Sequence, residues 1–198
     1  VSSPYVNENE LRTSGVDLGL MYKQDFAGFN WTSDFEATKI ITFEETLSQG
    51  GAFASYVGTQ GPYILSSGAG TPQYRASWSN SFKFGQLTLT GIFYYVSGLY
   101  MSAPDVTGPG TENVCFSTAT PTAANLPASC RKPSFTYMDA TADYDFTDNF
   151  SMSAVMENVF DRKAPLDQID YAGVNYNPTY DQAGVVGRFF RLGLKYKF

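Results

Sequence analysis

Apolar and polar residues alternate with period two along much of this chain, and the alternating runs are separated by turn-forming residues. A period of two places successive side chains on opposite faces of an extended strand. Seven strands are expected. The first, about Gly15 to Lys23, puts Val16, Leu18, Leu20 and Tyr22 on one face and Asp17, Gly19, Met21 and Lys23 on the other. A turn over Gln24 to Gly28 leads to the second, about Phe29 to Phe43, where Phe29, Trp31, Phe35, Ala37, Ile41 and Phe43 alternate with Asn30, Thr32, Asp34, Glu36, Thr38 and Thr42. Lys39 falls on the apolar face about ten residues up. A tilted strand crosses the hydrocarbon in roughly 9 to 11 residues, which puts Lys39 at headgroup depth. The third strand, about Gln73 to Phe84, and the fourth, about Leu87 to Tyr100, flank a tight Gly85-Gln86 turn. The fifth, about Ser134 to Phe146, and the sixth, about Phe150 to Asn158, flank a turn at Thr147-Asp148-Asn149. The last strand alternates Phe190, Leu192, Leu194, Tyr196 and Phe198 with Arg191, Gly193, Lys195 and Lys197.

Between these pairs lie three long loops, about Glu44 to Pro72, Met101 to Pro133 and Val159 to Gly187. Loop length therefore alternates short and long. That is the organisation of a transmembrane antiparallel β-barrel of the bacterial outer membrane, with short periplasmic turns and long extracellular loops. Aromatic residues gather near the ends of the apolar faces, as in interfacial girdles. A soluble all-β barrel or sandwich shows the same alternation along any one strand. The strand lengths, the strict loop alternation and the charged residues on the polar faces favour the membrane barrel. The fold class expected is all-β.

Composition narrows the function. Charged residues are 16% of the chain, against about 25% in typical soluble domains. Net charge is −6 and no basic cluster occurs, which argues against a nucleic-acid partner. The chain contains no histidine, which excludes Ser-His-Asp and Cys-His catalysis and histidine-based zinc sites. No phosphate-binding glycine loop, Cys-x-x-Cys pair or catalytic constellation occurs either. The reading is of a chain that is not an enzyme and carries no cofactor. Cys115 and Cys130 lie in a Pro/Ser/Thr/Ala-rich stretch and, on the extracellular side, are expected to form a disulfide.

The end of the chain, Arg191-Leu192-Gly193-Leu194-Lys195-Tyr196-Lys197-Phe198, resembles the last-strand assembly signal of outer-membrane proteins through Arg191, Gly193, Tyr196 and Phe198. The resemblance implies recognition by the barrel-assembly machinery. Glu157-Asn158-Val159-Phe160-Asp161-Arg162-Lys163 is similar to the Asn-Leu-Phe-Asp segment that ends the penultimate strand of TonB-dependent receptors. Asn7 to Leu20 resembles a recurring Gly-Val-Glu strand of that family, with Asp17 in place of the usual Glu, and Asp170 to Phe190 resembles the closing region of a large proteobacterial subgroup.

The family resemblance implies a barrel of about 22 strands around a plugged lumen. Residues 1–198 would then be the C-terminal portion of that barrel, about its last seven strands, with the plug and earlier strands outside this sequence. Seven strands alone would leave two unpaired edges in lipid. The function implied is TonB-dependent import of a scarce nutrient across the outer membrane, either an oligosaccharide or other organic nutrient or a ferric siderophore. The alternative is a passive porin or small structural barrel. Implied partners are the TonB energy-coupling complex, outer-membrane lipid and lipopolysaccharide, and the ligand. The third long loop carries Asp167, Asp170, Tyr171, Tyr176, Tyr180 and Asp181, a combination that suits stacking and hydrogen bonding to such a ligand. Packing against neighbouring loops explains the same residues without a ligand. Asp139, Asp143 and Asp145 share a polar face and are read as a solvated wall paired with Arg191, Lys195 or Lys197.

Overall fold

A computed structural model describes residues 10–46, 50–101, 103–107, 131–167 and 176–198. The main elements in chain order are strands β1 (Leu11–Phe26), β2 (Phe29–Thr46) and β3 (Phe53–Ser55), helix α1 (Tyr63–Ser66), strands β4 (Tyr74–Phe84), β5 (Leu87–Val96) and β6 (Leu99–Tyr100), helix α2 (Pro104–Thr107), strands β7 (Arg131–Lys132), β8 (Phe135–Thr147) and β9 (Phe150–Glu157), helix α3 (Gln182–Val186) and strand β10 (Phe189–Tyr196). Every pairing between these strands is antiparallel. The long strands form one sheet in the order β1-β2-β4-β5-β8-β9-β10, which is sequence order, and β3 adds to the end of β2. All seven strands expected from the alternation are therefore present as consecutive neighbours. At 16 and 18 residues, β1 and β2 far exceed the usual strand length of about 5 to 6.

Strand register aligns the two kinds of side chain into rows. Trp31, Phe82, Leu89, Ala142, Ala154 and Leu192 stand opposite one another across six strands. The adjacent row on the other face is Asp25, Asn30, Lys83, Thr88, Asp143, Ser153 and Gly193. A one-residue slip of any strand would exchange these faces, so burial of the apolar face in a nonpolar phase specifies the register.

The three short connections are two-residue hairpins, closed by the pairs Phe26–Phe29, Phe84–Leu87 and Thr147–Phe150. Gly28 and Gly85 take positive φ there (106° and 58°), which a hairpin of this length requires. The first turn is thus tighter than the expected Gln24–Gly28 segment, because strand pairing runs on to Phe26. Around this end of the sheet the rings form a belt. Phe26 stacks on Phe29 with centroids 4.8 Å apart, Phe29 lies 5.3 Å from Phe84, and Phe146 contacts both Tyr144 (4.8 Å) and Phe150 (5.1 Å). Tyr196 and Phe198 extend the belt to the last strand. At the opposite end Lys39 lies 5.5 Å from the Tyr74 ring, a cation–π contact that suits a lysine at the headgroup boundary.

Among the described residues, no dry core packs against the apolar face. Leu20, Trp78, Phe93, Leu192 and Leu194 are all exposed, Leu192 to 68%. The buried apolar residues, among them Tyr56, Leu99, Met101, Ala103 and Phe135, gather instead at the long-loop end. A single-layer sheet with one predominantly apolar face is suited to an apolar phase beside it, and lipid supplies that to strands whose backbone groups are paired. None of the described helices is long and apolar enough to cross a membrane.

The end of the fourth strand also differs from expectation. The fourth strand does not continue to Tyr100 within the sheet. It ends at Val96, and Leu99–Tyr100 turn off to pair with Arg131–Lys132. Gly98 permits this, because a Cβ there would collide with the Lys132 carbonyl oxygen.

The two faces make opposite predictions for neighbouring residues of β8. Ala140→Arg, on the apolar face near mid-strand, is expected to lower stability in phospholipid vesicles by about 2 to 4 kcal/mol. Thr141→Arg, on the polar face, is expected to change it by less than about 1 kcal/mol. Urea unfolding followed by gel mobility of the folded barrel measures both.

Candidate functional site

The polar face and the long loops meet at one end of the sheet and enclose a groove of about 520 Å³. Its floor is a row across four strands, Glu36, Ser77, Tyr94 and Tyr137. Tyr94 and Tyr137 stack with centroids 4.7 Å apart and planes inclined by 19°. One row nearer the short turns lie Asp139 and Glu157, and on the other side lies Arg75. The third loop roofs the groove with Tyr180, Gln182, Ala183 and Val186. Arg75 sits 5.0 Å from the Tyr180 ring, which ties wall to roof. Three carboxylates line this groove with the Arg75 guanidinium, and Arg191 pairs with one of them, Glu157; the remaining excess of one carboxylate favours neutral polyhydroxylated or cationic groups over anions. Its flat tyrosine pair offers a stacking surface.

The three long loops are knitted together above the groove. The first, residues 47–73, meets the second, residues 97–134, through the Gln60 amide donating to the Tyr100 carbonyl (3.1 Å) and the Tyr100 amide donating to the Gly58 carbonyl (2.7 Å). The Tyr63 amide donates to Asp105 Oδ2 at 2.7 Å. The third loop, residues 158–188, joins the first where Gln60 Nε2 donates to Asp167 Oδ2, and where the Tyr180 hydroxyl donates to the Gly70 carbonyl at 3.0 Å. Asn177 Nδ2 donates to the Ala69 carbonyl. It joins the second through an ion pair of 2.6 Å between Lys132 Nζ and Asp181 Oδ2, both essentially without solvent exposure.

The candidate ligand residues of the third loop therefore take different positions. Asp167 is fully buried against Gln60, and burial pushes its carboxyl up to about 6 despite the nearby Lys132 ammonium. Asp181 is fully buried on Lys132, and burial raises it against the pull of that ammonium. Tyr180 lines the groove, and burial raises its hydroxyl. Tyr176 is exposed. Asp170 and Tyr171 lie outside the described residues, as do Cys115 and Cys130. Glu36, Arg75, Tyr94 and Tyr137 were not singled out as site residues in the sequence. Their signal was alternation alone, which marks them as inward-facing and nothing more.

The Asn158 to Lys163 segment is a built turn. Asn158 has φ of 50° and Asp161 of 49°, a region that Asn and Asp tolerate better than most side chains. The fully buried Asn158 side chain donates to the carbonyls of Arg162 (2.9 Å) and Ala183 (3.0 Å) and accepts from the Arg162 amide (2.8 Å). Asp161 accepts from the Arg188 amide at 3.0 Å and from Lys163, and these contacts lower its carboxyl. The turn clamps the start of the third loop to α3 and to the entry of β10. Asp139 is engaged here too, accepting from the Asn158 amide at 2.8 Å. The ion pair of this wall runs instead from Arg191 to Glu157, at 3.3 Å. Near the chain start, Asp17 accepts from the Thr38 hydroxyl at 2.6 Å on the polar face. At the chain end, Arg191 and Gly193 lie on the polar face, opposite Val155 and Ser153, while Tyr196 stands opposite Phe150 on the apolar face.

Replacing Asn158 by Ala removes three hydrogen bonds, each worth about 1 kcal/mol, and adds the cost of left-handed backbone, about 1 kcal/mol. Asn158→Ala is expected to destabilise the protein by about 4 kcal/mol, and Asn158→Gly, which keeps the backbone conformation cheap, by about 3 kcal/mol. Equilibrium urea unfolding distinguishes the two.

Comparison with curated proteins and with solved structures finds no match. Comparison with protein families finds one: the model of the TonB dependent receptor-like β-barrel matches residues 1–159. The matched region takes in the sheet from β1 to β9 and the first two loops, and ends within the Asn158 turn. The family acts in transport at the bacterial outer membrane, and its members are transporters. With most of its length matched and the strands arranged in one antiparallel sheet in sequence order, this chain belongs to the TonB-dependent receptor β-barrel family.

Proposed function

We infer that this chain forms the C-terminal portion of the barrel of an energy-coupled outer-membrane importer, and that it contributes wall and extracellular loops to capture of the nutrient. The family match over residues 1–159 carries this reading, because it falls on a sheet whose apolar face has no protein partner among the described residues. The free edges of β1 and β10 are then continued by further strands of the same barrel, and the plug and TonB contact belong to segments outside residues 1–198. The last strand, through Arg191, Gly193, Tyr196 and Phe198, serves as the signal to the barrel-assembly machinery.

Groove chemistry favours an oligosaccharide or similar organic nutrient over a ferric siderophore. Glu36, Asp139 and Glu157 accept hydrogen bonds from hydroxyl groups, and the Tyr94–Tyr137 pair presents a flat face to a sugar ring. An anionic iron chelate would meet an excess of carboxylates.

Uptake by cells carrying the full-length receptor is expected to stop when tonB is deleted or the proton gradient is collapsed. Uptake that persists under both conditions indicates a passive pore. With purified receptor and a panel of oligosaccharides, Tyr137→Ala is expected to weaken binding by about threefold to tenfold, from loss of an aromatic contact. Unchanged affinity for every saccharide bound by the wild type, measured calorimetrically, would remove the groove from the account.

A further inference from the structure

The buried junction of the three loops has an unbalanced charge. Lys132, Asp167 and Asp181 are each at most 1% exposed, so two carboxylates share one ammonium. Lys132 is committed to Asp181 Oδ2 at 2.6 Å. Among the described residues, Asp167 receives a hydrogen bond from the neutral amide of Gln60 alone, on Oδ2. Three acceptor oxygens, Asp167 Oδ1, Asp181 Oδ1 and Gln60 Oε1, are buried without any donor. Acceptors in that condition cost about 1 to 3 kcal/mol each, and more for charged groups. A fully ionised junction therefore carries both an uncompensated negative charge and a shortage of donors.

One added proton removes the first fault and eases the second. It neutralises the surplus carboxylate and converts one of the orphaned oxygens into a donor. Asp167 is the group placed to take it, since Asp181 already has the ammonium. We propose that Asp167 binds one proton when the three extracellular loops dock, which makes the junction a proton-operated latch over the groove. The charged groups that face Asp167 are Lys132 of β7, which opposes proton uptake, and Asp181 at the start of α3, which favours it. Burial is the larger influence, and the carboxyl is pushed up to about 6.

The sign follows from this direction. Asp167 holds its proton more tightly in the docked state than when the loops are apart. Its contribution to docking is complete below the ordinary carboxyl value, declines as pH rises, and is lost above about pH 6. The docked loops are thus tightest in acid and loosen towards neutrality. The Asn177 and Tyr180 hydrogen bonds to the first loop do not depend on a carboxyl, so the latch modulates docking and does not create it.

Amide hydrogen exchange of the full-length receptor in detergent, corrected for intrinsic exchange rates, tests this. Protection of peptides covering 56–60, 164–167 and 177–184 is expected to fall about tenfold between pH 5 and pH 7.5 and to change little above that. Asp167→Asn, which keeps the shape and removes the titration, is expected to abolish the fall. Infrared spectroscopy of the wild type gives a second readout, a protonated carboxyl present at pH 5 and absent at pH 7.5. Protection that is flat with pH in the wild type overturns the proposal, as does a slope that survives Asp167→Asn. If that variant fails to fold, absence of the titrating carboxyl from the wild-type spectrum overturns it. Protection that instead follows sodium or calcium concentration at fixed pH assigns the site to a metal ion and also overturns it.

Discussion

A backbone surrounded by hydrocarbon has no water to satisfy its N–H and C=O groups, so each must find a partner in the protein. That requirement organises the rest of the molecule. It is met by strands long enough to cross the apolar layer, paired in ladders with their neighbours in the sheet, with register shifts at Ser14/Gly15 and at Asp145/Thr147. Pairing of neighbours needs only two-residue turns at one end, and the glycines at Gly28 and Gly85 supply the backbone conformation those turns need. Because the side chains of a strand alternate, the same ladders that satisfy the backbone also sort the apolar rows from the polar rows. The aromatic belt and Lys39 then mark the two margins of the apolar layer.

The long-loop end obeys a different logic. There the apolar burial of an ordinary soluble protein reappears, around Tyr56, Leu99, Met101 and Ala103, and polar groups are buried with partners drawn from all three loops. The loops act as a lid fastened to the wall, through Arg75 on Tyr180 and through the Asn158 turn. A groove that joins tyrosine rings to carboxylates lies beneath this lid, on the side of the sheet away from lipid. Membership of the TonB-dependent receptor β-barrel family fits a wall-and-lid role of this kind.

The strands were legible in the sequence because their information is local. Leu18, Leu20 and Tyr22 declare a face within five residues, and each of the seven long strands declares one in the same way, whereas the three-residue β3 is too short to do so. Two boundaries were misplaced for an equally local reason. Alternation continues through Gln24 to Phe26 and through Leu99 to Tyr100, and only the partner strand decides whether a residue stays in the sheet. The loop junction was not legible. Gln60 and Asp167 are 107 residues apart in the chain, and Lys132 and Asp181 are 49 apart. Nothing beside Asp167 in sequence distinguishes a buried acid from one offered to solvent. The Asn158-Val159-Phe160-Asp161 segment was recognisable as a family feature, but its physical role, two positive-φ residues that fasten α3, needed the coordinates.

The central claim is that one face of this sheet meets acyl chains and the other meets water. Nitroxide labels placed singly from Leu87 to Val96 of β5 in the full-length protein, reconstituted in bilayers, test it directly. Relaxation by oxygen dissolved in the lipid is predicted to peak at positions 87, 89, 91, 93 and 95, with relaxation by an aqueous nickel chelate weakest at those same positions. Uniform accessibility along the strand, or lipid contact at the even positions, would contradict the account.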